Sequence, residues 1–240
     1  MRRDAAIYAV VPAAGVGARM GAGLPKQYLT LAGRTLAEHT LSRLLAFAPI
    51  RQVVVAVAEA DPWWPELSVA RQPRVTTVHG GDSRAHSVRA GLDEVLARDP
   101  DAWVLVHDMA RPLLRLSDIQ ALLDSCAGQD DAQGAILALP VNDTVKQAGP
   151  GARIEATLDR TLIWRALTPQ LFPAAALHDA LTGAHAGTTD EASAMEAAGW
   201  RPRLVPGRAD NIKVTLPEDL ALARFYLEAQ RQEGLAWRFA

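Results

Sequence analysis

Residues 12–29 read PAAGVGARMGAGLPKQYL, with Gly15, Gly17, Gly21 and Gly23 set around Arg19 and just ahead of Lys26. Glycines lack a Cβ, so such a loop can bring its backbone close to a ligand and turn its N–H groups inward. A guanidinium adds a planar fork and an ammonium a point charge, and both suit a polyphosphate. The loop is not the dinucleotide fingerprint, which would need glycine where the chain has Met20, and no Gly-Lys-Ser/Thr follows to make a Walker loop. A plain strand-to-helix turn would account for the glycines alone. The Arg and Lys in the same loop favour phosphate binding.

Three later clusters could add to such a site. In HGGDSRAHSV, Gly80 and Gly81 can form a turn and Asp82 or Ser83 can cap a helix; taken alone, capping explains this run. In VLVHDMARP, Asp108 emerges from an apolar run, where it could hold a ribose hydroxyl or a hydrated Mg²⁺, or simply pair with Arg111. In GRADNIKVT, Lys213 falls in a run that reads as a strand, and a strand lysine is often a device against edge-to-edge aggregation.

Other chemistries lack their residues. The histidines at positions 39, 79, 86, 107, 178 and 185 form no H-x-x-x-H or H-E-x-x-H pair, so no transition-metal site is assigned. There is no G-x-S-x-G elbow, and nothing in the sequence pairs Cys126 with an activating histidine. Trp63 and Trp64, in DPWWP, read as loop anchors.

The elements that must position these residues alternate. Strands are expected at Ile7 to Val11, Val53 to Ala58, Val75 to Val78, Trp103 to Val106 and Ala135 to Leu139. Thr35 to Phe47, Ser83 to Arg98 and Ser117 to Cys126 carry apolar residues at three- and four-residue spacing, as crossover helices do. The pattern is α/β, a Rossmann-like, mainly parallel sheet with flanking helices. Ligands gather beyond the carboxyl ends of such strands, where all these clusters fall. The stretch from Val141 to Leu158 breaks the rhythm with a Gly-Pro-Gly turn between short polar segments and reads as a projecting β-hairpin arm. Beyond it, helices are expected at Pro173 to Leu181 and Glu191 to Ala198, a strand at Asn211 to Thr215, and a last helix from Pro217 to Arg231, with Pro217 in its first turn.

With 240 residues, 49% of them hydrophobic, the chain can bury a sizeable core, and one domain over 1–240 with the arm at about 141–158 is expected. The formal charge of -2 removes the broad basic field of a general nucleic-acid binder. A lone cysteine excludes a disulfide framework and points to an intracellular, cytoplasmic setting. The apolar N-terminal stretch runs straight into the glycine loop and reads as a strand, not a signal peptide. No apolar run approaches the roughly 18 residues of a membrane span.

In order, the motifs PAAGVGARMG…PKQYL, GGDSRAHSV, VHDMARP, PVNDTV, DR…TPQ, TDEAS and NIKVTLPEDL resemble the 2-C-methyl-D-erythritol 4-phosphate cytidylyltransferase family, from Val10 to about Tyr226. That resemblance implies a nucleotide-diphospho-sugar transferase type of fold and transfer from CTP to an alditol phosphate. By the same resemblance, Ala13, Ala14, Gly15, Gly17, Gly81, Asp82 and Ser87 would contact the nucleotide, with Asp108 near the ribose or the metal. Arg19 and Lys26 would stabilise the reacting phosphates, Arg160 and Lys213 would position the acceptor phosphate, and Arg111, Thr144, Thr168 and Thr189 would line the acceptor's site. Mg²⁺ or another divalent cation is implied, as is a homodimer whose arms complete each other's sites. One departure is Met109, where the family usually has alanine, which bears on pocket shape and not on the reaction. An acceptor phosphate with a second pKa of about 6 is already largely a dianion and needs no general base, so the missing acid-base dyads are no objection. Two rival readings stand beside this one: a cytidylyltransferase for ribitol 5-phosphate or another alditol phosphate, and a catalytically silent nucleotide-binding regulator.

Overall fold

The computed structural model describes residues 1–15, 24–129, 132–183 and 189–234. Gly17, Arg19 and His185 lie outside these residues. The first half runs β1 (Ile7–Pro12), the two-residue strands β2 (Thr30–Leu31) and β3 (Arg34–Thr35), α1 (Leu36–Ala46), β4 (Ile50–Val57), β5 (Val75–His79), α2 (Arg84–Arg98), β6 (Trp103–Val106), α3 (Leu116–Cys126) and β7 (Ala135–Pro140). Next come β8 (Val145–Ala148), β9 (Ile154–Leu158), β10 (Trp164–Pro173), α4 (Ala174–Thr182), α5 (Glu191–Ala197), β11 (Arg203–Pro206) and α6 (Asp219–Gln232). No helix among the described residues is long and apolar enough to cross a membrane.

Seven strands form one sheet in the order β11-β7-β10-β6-β1-β4-β5. β1, β4, β5 and β6 run parallel, as do β7 and β11, while β10 runs antiparallel to both of its neighbours. The apolar runs are continuous because both faces are covered. Ile7, Ala9 and Val11 pack in one core cluster with residues of α1 and α3, and Tyr8 and Val10 pack in another with residues of α2 and α4. Gly91 lets α2 approach closely, since a Cβ there would come 2.5 Å from Val10 Cγ1. α1 opens on a capping box in which Thr35 Oγ1 accepts from the Glu38 N–H (3.1 Å) and the Glu38 carboxylate accepts from the Thr35 N–H (2.9 Å).

β1 has β4 on one side and β6 on the other, so the crossovers part in opposite directions there and open a crevice beyond the strand ends. The arm is a separate antiparallel pair, β8 with β9, and Ile154 on it is 67% exposed. Gly151 turns the arm with φ +70°, in the left-handed region that glycine tolerates.

Three expectations need correction. Asn211 to Thr215 form no strand: the backbone there bonds from the Asn211 N–H to the Arg208 carbonyl (3.2 Å) and from the Val214 N–H to the Ala110 carbonyl (2.8 Å), with no ladder, and side chains add further bonds. Pro217 lies in the turn before α6, where its carbonyl accepts from the Leu220 N–H, because the Asp219 carboxylate gathers the Thr215 and Leu216 N–H groups and delays the helix by two residues. The sheet also holds β10 and β11, which sequence patterning did not mark. β10 is central despite Pro169 because that proline falls in a register break between Ala166 and Gln170, where no ladder N–H is needed.

Candidate active site

A cleft of about 500 Å³ opens at the carboxyl ends of β1, β4, β5 and β6. Ala13, Ala14 and Gly15 follow β1 into its wall, and Gly81, Asp82 and Ser87 join it from the turn into α2. Lys26, Asp108 and Lys213 border the same space. Nine residues singled out by sequence thus meet at one place, from segments up to 200 positions apart.

Each is held by identifiable contacts. Lys26 opens a one-turn 3-10 segment, Lys26–Tyr28, whose next two side chains are buried. Gln27 donates to the Ala13 carbonyl at 2.9 Å, and the Tyr28 hydroxyl donates to Asp61 at 2.6 Å. Asp61 in turn accepts from the N–H groups of Trp63 and Trp64, and Trp64 donates its indole N–H to Thr77, so the tryptophans anchor this loop. Ser83, not Asp82, caps α2 by accepting from the His86 N–H at 3.1 Å, which leaves the exposed Asp82 carboxylate on the cleft wall. Gly80 is required sterically, since a Cβ there would lie 2.6 Å from Ala14 Cβ. Around Gly15 a Cβ would meet nothing within 4 Å, so no packing accounts for that glycine.

The electrostatic centre is Asp108, only 6% exposed. Arg84 Nε and Nη2 both donate to its Oδ1 at 3.2 Å, while Lys213 Nζ (3.0 Å) and Arg111 Nε (3.2 Å) hold Oδ2. Burial alone would raise the pKa of this carboxyl, but Arg84, Lys213 and Arg111 outweigh it and hold it well below the usual carboxylate range. Behind it, burial pushes the His107 imidazole down to about 4, so that ring is neutral. Its Nε2 faces the Arg111 carbonyl at 3.2 Å and must carry the proton; Nδ1 then accepts from the Thr168 hydroxyl at 2.9 Å, whose oxygen accepts from the Asp108 N–H at 3.1 Å. Asn211 donates to the Thr168 carbonyl and its own carbonyl accepts from Arg111, both at 2.8 Å, which seats the segment carrying Lys213.

Arg111 and Thr168 therefore stand behind Asp108, buried and engaged, and do not line the cleft. Thr144 on the arm and Arg160 at its base sit apart from the cleft; Arg160 donates to the Asn142 carbonyl, and Thr189, exposed, donates its N–H to Ser193 Oγ at 3.0 Å. Met109 borders the cleft at 4% exposure but packs in the core cluster beside Leu105 and Leu114. Sequence reasoning missed Arg84, Glu191 and Asn211. Arg84 is the cation inside the GGDSR run, but its neighbour Ser83 had already explained that run as a cap, and no spacing rule links it to Glu191, 107 positions away.

The mainly parallel sheet with a cleft at its switch point is consistent with the α/β fold of the nucleotide-sugar transferases. The family model described as 2-C-methyl-D-erythritol 4-phosphate cytidylyltransferase matches residues 7–229, and the chain belongs to that family. It is 53% identical over 224 residues to the protein of that name from Actinobacillus pleuropneumoniae serotype 7 (strain AP76), covering 92% of this chain and 96% of the relative. The Vibrio parahaemolyticus serotype O3:K6 (strain RIMD 2210633) protein of the same name is 53% identical over 226 residues, covering 93% and 96%. The crystal structure of the Francisella tularensis 2-C-methyl-D-erythritol 4-phosphate cytidylyltransferase superposes with a TM-score of 0.79 at 33% identity, covering 92% of this chain and 99% of that one.

Proposed function

We propose that the chain, as one nucleotidyltransferase domain with an arm at about 141–158, joins CTP to 2-C-methyl-D-erythritol 4-phosphate in isoprenoid precursor biosynthesis. The products are 4-diphosphocytidyl-2-C-methyl-D-erythritol and pyrophosphate. The observation that carries this reading is the family match over residues 7–229 together with a cleft that Lys26 lines and in which Arg84 and Lys213 pair with Asp108. An oxygen of the acceptor phosphate attacks the α-phosphorus of CTP in line, a P–O bond forms, and the bond to the β-phosphate oxygen breaks with its electron pair leaving on pyrophosphate. The acceptor is already largely dianionic at neutral pH, so catalysis consists of aligning two anions and neutralising charge. Lys26 and Arg19 take the reacting phosphates in this reading, Lys213 and Arg160 the acceptor phosphate, and Asp82 and Ser87 the cytosine. Arg111 and Thr168 act from behind, by fixing Asp108.

A magnesium ion needs one or two carboxylates and completes its shell with phosphate oxygens and water. Asp108 is a buried anion at the cleft, but Arg84 takes its Oδ1 and Arg111 and Lys213 its Oδ2, so it would meet the ion through water and not as a direct ligand, and the ion would supply further neutralisation of the phosphates. The cytoplasm suits a chain whose lone cysteine is buried and free.

Pyrophosphate release tests the reaction directly. With CTP and Mg²⁺, 2-C-methyl-D-erythritol 4-phosphate should be turned over in clear preference to ribitol 5-phosphate, and CTP should outcompete UTP, ATP and GTP. Preference for ribitol 5-phosphate would overturn the acceptor, equal use of all four nucleotides would overturn the cytosine contacts, and CTP binding without product from any alditol phosphate would favour the regulator.

The working form proposed is a homodimer with shared sites. The arm buries little of itself, with Ile154 67% exposed and Leu162 just beyond its base 77% exposed, and a lone two-stranded hairpin is marginal in water. A twofold axis would set each arm against the partner's cleft and explain why Thr144 and Arg160 do not reach the cleft of their own chain. Inactive Arg160→Ala mixed with inactive Lys26→Ala under subunit exchange should recover part of the activity, because one site per heterodimer regains both cations. Verified heterodimers without recovery would mean that each chain completes its own site.

A further inference from the structure

Glu191 has no part in the chemistry proposed above, yet it is a wholly buried carboxylate, 0% exposed, at the start of α5. Its Oε1 accepts from Arg84 Nη1, and its Oε2 meets no hydrogen-bond donor among the described residues. Burying a carboxylate is costly unless it is paired and hydrogen-bonded, and one hydrogen-bonded oxygen is incomplete compensation. Among the described residues Arg84 is the one cation within ion-pair distance of it, and the same guanidinium uses its other two nitrogens on Asp108 Oδ1. With Oδ1 so engaged, Oδ2 of Asp108 is the oxygen turned to Lys213 Nζ at 3.0 Å. Glu191 thus holds one edge of the guanidinium, the guanidinium holds Oδ1, and Arg111 Nε at 3.2 Å shares Oδ2 with Lys213, so Arg84 and Arg111 together orient the carboxylate that the Lys213 ammonium meets.

We propose that Glu191 and Arg84 are positioning residues that set the Lys213 ammonium through Asp108, so that a buried glutamate on α5 governs a cation of the active cleft. The inference rests on the cytidylyltransferase reading for its kinetic consequence, but the geometry has a readout of its own. A guanidinium pinned at three nitrogens cannot follow an incoming phosphate, which separates its role from that of a direct phosphate ligand. The chain to Lys213 runs through contacts that are each a single arrangement, and a displacement of the order of an ångström at a reacting group is enough to slow turnover strongly.

The decisive variant is Glu191→Gln, which keeps size and a hydrogen-bond acceptor but removes the charge, with Arg84→Lys, which keeps the charge but loses the fork, as its companion. Either should lower kcat about 10-fold or more while the KM for CTP moves less than about 3-fold. Adding Glu191→Gln to Lys213→Gln should cost little further, since both act at one point. Unchanged kcat, or losses that multiply in the double variant, would overturn the relay. The chain has three lysines, Lys26, Lys146 and Lys213, so the Lys213 ammonium can be assigned by ¹⁵N NMR using Lys213→Arg. Its signal should move in both variants, and an unmoved signal would equally sink the idea. Should Glu191→Gln fail to give a folded protein in a thermal melt, Arg84→Lys carries the same readings. Wild-type protein that turns over no alditol phosphate rejects the function and leaves the NMR signal to judge the relay.

Discussion

Lys26→Ala should lose turnover on the order of 10²-fold or more while unfolding at nearly the same temperature. The residue that holds this turn in place is Gln27, through its 2.9 Å bond to the Ala13 carbonyl, backed by Tyr28 and Asp61. Lys26 is half-buried at the cleft on that anchor, so in the proposed mechanism its removal takes away charge near the reacting phosphates while the bonds of Gln27 and Tyr28 that hold the turn remain. Loss of one preorganised donor costs about 10² to 10³ in kcat in comparable sites, whereas substitutions that touch no core feature stay within about 0.5 kcal/mol of stability. Arg19→Ala is expected to behave the same way. Rates measured beside thermal melts decide the matter, and a variant that turns over at near-normal rate would remove that cation from the mechanism.

The opposite balance is expected at Asp108. Asp108→Asn deprives Arg84, Arg111 and Lys213 of the anion they share, and breaking one side of a buried ion pair costs about 3–5 kcal/mol. Stability should therefore fall together with activity, and denaturant titration at neutral pH measures it. The acid limb offers a second reading. Because the carboxyl titrates lower in the folded chain than its ordinary 3.8, its contribution is present above that value and is lost as pH falls through the lower, folded one. His107 acts earlier: its ordinary value is 6.5 and its folded value about 4, so the folded state resists its protonation. Stability present above pH 6.5 should decline by about 3 kcal/mol between 6.5 and 4, at roughly 1.36 kcal/mol per unit. In Asp108→Asn the decline below about pH 4 should flatten while the His107 part remains. A variant as stable as wild type at neutral pH, or one with an unchanged acid limb, would show that the three cations do not depend on Asp108.

The strands that build the cleft were legible because each is buried on both faces, so IYAVVP, VVVAV and WVLV stand out as apolar runs with helical patterns between them. Their carboxyl ends carry the site in any sheet of this kind, which is why the glycine loop, the GGDSR turn and Asp108 could be named together. β10 escaped notice because two prolines and an arginine disguise a central strand, and the bulge that accommodates Pro169 is a property of the paired strands. Lys213 falls in NIKVT, which has strand composition, but the Arg111 side chain from across the fold and the stretch's own Asn211 side chain, donating to the Thr168 carbonyl, anchor it instead.

By itself, then, the sequence determined the alternation of elements, the position of the crevice and the types of residue that enter it, all of which follow from local periodicity and from groups a few positions apart. Only the tertiary structure decided which neighbour does which task. Arg111 and Thr168 carry the right chemistry to touch a ligand, but packing turned them inward to fix Asp108, and it brought Arg84 and Glu191 into contact across 107 positions of chain. A carboxylate's role depends on which cations reach each of its oxygens, and that is a distance in space which no spacing along the chain encodes.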